Sequence, residues 1–501
     1  MTTPFIDYQT VAVDWIHHLD NRLSPSAYDT AWMARVRDEG GESARWPDLI
    51  NWLVENQHVD GSWGGKIFYV HDRILCTLAA LLALKENHVD RTAPQIIEHG
   101  ERFVWNNMHR LHTDLMDLAG FEILLPTLIE DAHELGLNVP PHNYGYGTIR
   151  DTKLSKIPME LMTSPEVSLS NAMEYRKGAD VLSILQALQG ANGAISNSPS
   201  TTSYLAIMSE NQNKAALDWL QSVKNRGYGI PDFHPWTDFE IAWFMQHLSY
   251  SGLSLQNFHD LPVWQTLQSD LTPQGISIHP TYSIRDGDTT AVSIHVLRQA
   301  GFDVDPRILH TFEHPENRTF LTFFFERNMS VITNVHALEA LSLLSDYPER
   351  ELVWNTVVRS ILALQKYQTF WVDKWHASPF YASAHTLIAL MNVGELQLLE
   401  YSHFIDWLHN TQHNDGSWGY FGIGTQEETA FAVLTLMHYH ELVRKIDFDL
   451  VHRGMEYLYR AQDAHLPYEE LYIGKVLYAP IDVINALIFA AKIRYEMMLG
   501  G

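Results

Sequence analysis

The stretch "IRDGDTTAV" (284–292) sets Asp286 and Asp288 on either side of one glycine, ahead of two threonines and an apolar helical run. Ionising both carboxyls would put like charges side by side, so such a pair tends to hold one proton between them, and the acid that keeps it can donate it. Read locally, the same residues are a helix start, with Asp288 capping "TTAVSIHVLRQAG" and Gly301 closing it. A calcium loop does not fit, because its glycine belongs at 291, where Ala291 stands.

Further residues carry chemistry of other kinds. "HTDLMDLAGFE" (112–122) spaces Asp114 and Asp117 three apart, so one turn can bring both to one side. Such a pair suits magnesium, which uses one or two carboxylates plus phosphate oxygens, or is a solvated face. Lys374 in "DKWH" and Arg73 in "HDRIL" are candidates for contact with a phosphate or for ion pairs. Among 27 histidines, His295, His336, His376 and His385 are candidate proton acceptors, and the general base stays unassigned. An Asp-x-Asp-x-Thr run also marks phosphatases of the haloacid dehalogenase type, but these need a buried parallel strand just before it. "GISIHPTYSIR" (275–285) is a poor strand of that kind.

These residues must be positioned by a large, mostly helical chain. Its 501 residues, 46% hydrophobic and 19% charged, suffice for two or three domains with a sizeable core. No stretch of about 18 uncharged apolar residues exists, and "MTTPFIDYQT" lacks a basic leader, so a cytoplasmic protein is expected. Cys76 is the sole cysteine, which excludes disulfides and multi-thiolate zinc sites. A formal net charge of −26 argues against nucleic acid as partner. A phosphorylated ligand therefore needs magnesium or a few placed basic side chains.

Helical periodicity dominates. "LINWLVENQ" (49–57), "YSHFIDWLHNTQ" (401–412) and "LVHRGMEYLYRAQ" (450–462) are amphipathic and end in glutamine. "WLVENQHVDGSWGG" (52–65) and "WLHNTQHNDGSWGY" (407–420) are near-copies. More apolar helix starts recur at Asp288, Thr333, Ser383, Glu428 and Asp482, with looser versions at 28–34, 72–84, 120–132, 202–208 and 239–248. Alternating outer and inner helices predict two arrays of helical hairpins, with the irregular stretch 257–275 as their seam.

"DGDTT" resembles the acidic motif of class II terpene cyclases, which begin cyclisation by protonating an alkene. "SAYDTAW" (26–32) and "GFEILLPTLIE" (120–130) are similar to segments of class II diterpene cyclases such as copalyl diphosphate synthases. "TNVHALEAL" (333–341) and "DKWHASPFYASAH" (373–385) look like bacterial members that make halimadienyl or related diphosphates, and the two "DGSWG" turns resemble squalene-hopene cyclase repeats. The resemblance implies an all-α fold of two α/α-barrels, the βγ didomain. Residues 1–25 plus 265–501 would form the barrel with the motif, residues 26–264 an inserted barrel, and the active site would lie between them. It also implies that Asp288 is the proton donor, with Asp286 orienting it. Thr289 stands where many relatives have a third aspartate. An acidic cluster before Gly-Phe-Glu is linked to Mg2+ in relatives, which puts Asp114 and Asp117 in that role.

The implied reaction converts geranylgeranyl diphosphate to a bicyclic diphosphate of labdane, halimane or clerodane type. A carboxylic acid with an ordinary pKa of ~3.9 must be raised by ~3 units, or ~4 kcal/mol, to stay protonated at neutral pH. Burial and a neighbouring carboxylate supply shifts of that size. The 15 Trp, 22 Tyr and 21 Phe offer π faces to a cation, although most must fill core and Trp63 and Trp418 read as structural. No Asp-Asp pair occurs, so the motif by which class I terpene synthases ionise a diphosphate is missing and the product should retain the group. Cyclisation of a polyprenyl substrate without diphosphate and a non-catalytic helical scaffold are the competing expectations.

Overall fold

A computed structural model describes residues 7–500 apart from 325, 327, 368, 399–402 and 463–467. Tyr401 and Ser402 of the repeat 401–412, and the first six residues of the segment 1–25, lie outside the described residues. The chain is all-α, with two helical arrays, each a ring of inner helices covered by outer ones. In the first, α1 (Ala27–Ala34), α2 (Val70–Glu86), α3 (Phe121–Glu134), the 3₁₀ segment Ser168–Tyr175 and α4 (Pro199–Met208) pack in that order and close into a ring. In the second, α5 (Thr237–Ser249), α6 (Gly287–Gln299), α7 (Val331–Ser342), α8 (Pro379–Asn392), α9 (Gln426–Leu442) and α10 (Ile481–Gly500) form a closed ring. Amphipathic helices such as Lys214–Lys224 and Arg350–Ala363 cover the rings from outside, burying one stripe each.

The two copied turns show why such pairs recur. Trp63 Nε1 donates to Leu53 O at 2.6 Å and Trp418 Nε1 to Leu408 O at 2.8 Å. Gln57 and Gln412 each give two side-chain hydrogen bonds of 2.9 Å, one to the turn glycine carbonyl and one to the next outer helix, at Ile96 O and Leu450 O. Each Trp-Gln set thus fastens an outer helix to the following one while the indole fills core. Both tryptophans are structural.

One apolar core runs from Ala27 to Ile230, the other takes up the chain from Trp236 to Ile493 and includes Ala12 and Ile16. The cores divide between 230 and 236, ahead of the seam expected at 257–275, so the helix at 239–248 is a stave of the second ring. The irregular composition of 257–275 reflects a 3₁₀ turn, a short outer helix and the loop that leads to α6. A hairpin of β1 (Tyr472–Ile473) and β2 (Leu477–Tyr478) joins the arrays: Leu471, Ile473, Val476 and Leu477 enter the first core, Tyr472 and Tyr478 the second. It is the only sheet among the described residues, and it is antiparallel. The buried parallel strand that a haloacid dehalogenase-type phosphatase needs is therefore replaced at 277–285 by a single antiparallel bridge, Ser277 to Arg285.

Candidate active site

Helix α6 starts two residues before the cap reading placed it. Its cap is Asp286, not Asp288: the Asp286 carboxylate accepts from Thr289 N–H at 2.6 Å. Gly287 is required between the acids because a Cβ there would lie 2.1 Å from Leu321 O, and its own N–H donates to Thr322 O at 2.9 Å. With Asp286 spent on the cap, Asp288 falls in the first turn and is free to point along the ring.

Asp288 is only 7% exposed. His336, fully buried on the neighbouring stave α7, places Nδ1 2.7 Å from Asp288 Oδ1. Its Nε2 lies 3.3 Å from His385 Nδ1 on α8, and His385 in turn meets the Tyr250 hydroxyl at 2.9 Å. Gln246 donates to Tyr250 (3.1 Å) and to Glu339 (2.7 Å), and His295 Nδ1 reaches Gln246 Oε1 at 2.9 Å. This polar column runs down the second barrel to a cavity of about 350 Å³ at the carboxyl ends of the ring helices, lined by His295, Glu339, His438 and Arg494 among others.

Burial and, after it, opposition from the Thr289 N–H and support from the charge on Asp288 set the Asp286 carboxyl, which is pushed up to about 7. Burial works against a charged His336, yet Asp288 together with Glu339 and Asp373 outweighs it and raises the imidazole above its ordinary range. Burial drives His385 far down and His295 to about 3.

An aromatic wall stands beside the acid. Phe239 stacks on Trp243 at 3.9 Å, and Trp243 sets its edge to His336 at 5.6 Å and gives its N–H to Tyr381 at 3.2 Å. Tyr381 lies flat on His376 at 4.5 Å, and Tyr472, Tyr478 and Phe233 continue the wall towards the hairpin. The charge on Asp288 bears on Tyr381, which places that ring within its field.

The remaining sequence candidates take other places. Asp114 and Asp117 do not converge on one point; His71 stands between them, with Nδ1 2.7 Å from Asp114 and Nε2 3.1 Å from Asp117. Hydrogen bonds and charge from both acids raise His71 against its burial. The pair therefore does not fit a single magnesium ion, and among the described residues no group of three or more His, Cys, Asp or Glu could hold a metal. Arg73 is buried and spends its nitrogens on Gly65 O, Ser62 Oγ and Lys66 O, pinning the "DGSWGG" turn rather than meeting a phosphate. Lys374 pairs with Glu326, donates to Asn328 O at 2.8 Å and is lowered to about 8 by burial. Asp288 also acts on it, so it stands near the acid, the wrong end for a group carried at the far end of a polyene.

His336 was one name among four candidate bases, and the structure makes it the partner of the acid. Sequence reasoning missed Trp243, Tyr381 and Tyr472. The signal lay in the repeat length: His336 follows Asp288 by 48 residues and His385 follows His336 by 49, so one repeat along the chain is one stave around the ring.

A buried carboxyl, its imidazole partner and an aromatic wall thus lie together at one mouth of an α/α-barrel. Residues 327–478 match the squalene-hopene cyclase C-terminal domain. The chain is 32% identical over 496 residues to the type B diterpene cyclase of Mycobacterium tuberculosis, covering 94% of this chain and 96% of that one. It is 30% identical over 395 residues to the (−)-kolavenyl diphosphate synthase of Salvia divinorum, covering 74% of this chain and 48% of that longer protein. In structure it is similar to ent-copalyl diphosphate synthase from Streptomyces platensis, with a TM-score of 0.76, 25% identity and coverage of 98% and 99%. The chain belongs to the class II diterpene cyclases.

Proposed function

We propose that the chain protonates the terminal alkene of geranylgeranyl diphosphate and cyclises it to a bicyclic diterpenyl diphosphate, of halimane, clerodane or labdane type, that keeps its diphosphate. The observation that carries this reading is the buried Asp288 carboxyl, held by His336 beside an aromatic wall. The names of the relatives support the substrate class, and the lack of any Asp-Asp pair supports retention of the diphosphate.

With its proton on Nδ1, His336 donates to Asp288 Oδ1 and leaves Oδ2 to carry the acidic hydrogen. The alkene takes that hydrogen, a tertiary cation forms, and the next two double bonds close the rings. The carboxylate left behind keeps the His336 N–H, a charge-assisted bond of about 2 kcal/mol, and sits in the first turn of a helix whose dipole favours an anion. Asp286 acts by fixing the cap that aims Asp288. Phe239, Trp243 and Tyr381 present surfaces that stabilise positive charge by roughly 0.5–2 kcal/mol each and cannot add to it as water would.

Magnesium belongs to this proposal as a counter-ion of the diphosphate, and no step is routed through Asp114 and Asp117. A cytoplasmic location is part of the same reading; no helix among the described residues is long and apolar enough to cross a membrane. The test is incubation with geranylgeranyl diphosphate, with and without magnesium, then dephosphorylation and mass spectrometry. A bicyclic C20 alcohol is expected, and its absence from the wild-type reaction would overturn the reading.

A further inference from the structure

A proton given to the alkene must be matched by one taken from the rearranged cation, and the cyclase reading above requires an acceptor for it. The first turns of the second ring carry a set of buried carboxylates at the same mouth as Asp288, and most are already committed. Asp373 accepts from Ser330 Oγ (2.8 Å), Ile332 N (3.1 Å) and Trp375 N (3.1 Å). Glu428 accepts from Ser378 Oγ, Tyr420 N (2.9 Å) and Thr425 Oγ1 (2.8 Å). Asp482 is paired with Arg22, and Asp286 caps α6. Asp238 faces Asp270 and Glu240 faces Asp482; burial first and those neighbours second push both to about 8, so each holds its own proton at neutral pH.

Glu427 differs. It is buried in the first turn of α9, its Oε1 lies 3.3 Å from His376 Nε2, and its Oε2 is buried without a hydrogen-bond partner. Both nitrogens of the imidazole are engaged: His376 Nδ1 lies 3.1 Å from Ser378 N and 3.2 Å from Ser378 O, and Nε2 faces the Glu427 carboxylate, to whose Oε1 it donates when the hydrogen is on Nε2. Of the other histidines, His336 is bound to the acid, His295 lies at the opposite end of the barrel, and His385 has its basicity removed by burial.

The placement suits a proton acceptor. In the ring α5–α10, α6 and α9 are opposite staves, so Asp288 and Glu427 stand in first turns on opposite sides of the ring. Tyr381 lies between, inside the field of Asp288 on one side and stacked on His376 on the other. Tyr472 sets its edge on His376 at 4.9 Å, and its buried hydroxyl lies against the Glu427 carboxylate, whose charge raises it after burial does. A base next to the acid would return the first cation to starting alkene. One across an aromatic divide is met only after the charge has moved.

We propose that Glu427 Oε2 accepts the terminal proton, with His376 as its positioning residue. A C–H bond beside the cationic carbon breaks, its electron pair becomes the new C=C bond, and the proton forms O–H on Glu427. Glu427 then loses that proton to solvent and Asp288 regains one, so the overall reaction is an isomerisation.

The test is the product spectrum of Glu427→Gln with geranylgeranyl diphosphate in 18O-labelled water. The bicyclic alkene should fall at least tenfold as a share of product while substrate consumption falls less, and a labelled bicyclic alcohol carrying the diphosphate should replace it. Glu427→Asp should restore the alkene as main product at a reduced rate. His376→Phe, which keeps the stacked ring and loses the N–H, should move the product ratio the same way by a smaller factor. An unchanged alkene share in Glu427→Gln would overturn the inference. If that variant does not fold, an unchanged ratio in His376→Phe would do so. A wild-type protein that makes no bicyclic diphosphate would defeat the cyclase reading instead, so the two failures are distinct.

Discussion

Buried acids gather in both barrels and meet opposite fates. In the first, Asp29, Glu174 and Asp232 surround Lys475, which the hairpin carries in from the far end of the chain. Its ammonium bonds Glu174 at 3.2 Å, Ser198 at 2.6 Å and Ser200. Burial raises Asp29 to about 6 although Lys475 opposes the shift. In the second barrel the partners of Asp288 and Glu427 are imidazoles. A lysine pins charge in place and makes its acids into an interbarrel fastening. An imidazole's charge comes and goes with a proton, so it can face a carboxylate as a cation and a carboxylic acid as a neutral donor.

The comparison breaks first at the acid. Asp288→Asn should reduce cyclisation by about 10³-fold with an unchanged melting temperature, since general acids contribute 10²–10⁴ and the amide keeps the shape. Comparable activity in that variant would mean that the second barrel's acids are structural too. Lys475→Met should leave activity per folded molecule nearly intact but lower stability in denaturant titration by about 3–5 kcal/mol, because it strands buried carboxylates. His336→Gln, next in size, should cost about 10²-fold in kcat, measured by single-turnover kinetics, through loss of the bond to the conjugate base.

Stability against pH sharpens the contrast. Burial is the first cause that holds Asp286, Glu339 and Glu428 at about 7 when folded, against ordinary values near ~4 when unfolded. Between those values the folded state binds more protons, so stability should fall as pH rises from about 4 to about 7 and level above it. Asp286→Asn should flatten part of that slope in urea titrations. The smallest change in stability is expected from Asp286→Ala, which loses the cap at about 1 kcal/mol in the same urea titrations.

Much of this was legible in the sequence because the repeats are local signals. The inner helices begin within a few residues of the starts read at Asp288, Thr333, Glu428 and Asp482; α8 begins at Pro379, four before Ser383, since Ser378 and proline form a stronger start than the apolar run suggested. What was not legible depends on the ring closing. Asp114 and Asp117 look like a metal pair until His71, 43 residues away from Asp114, comes between them. Glu427 looks like one more acidic residue in a first turn until its neighbours are seen to be occupied. The Lys475 fastening joins residues 301 apart, at Glu174, which no periodicity reports.

The central claim is that Asp288 hands a solvent-exchangeable proton to a hydrocarbon double bond. Wild-type protein equilibrated in D2O and given geranylgeranyl diphosphate should yield a bicyclic diphosphate with one deuterium at the carbon that was the terminal alkene CH, located by NMR after dephosphorylation. A cyclised product without deuterium at that carbon, or free inorganic diphosphate released in step with substrate loss, would contradict it.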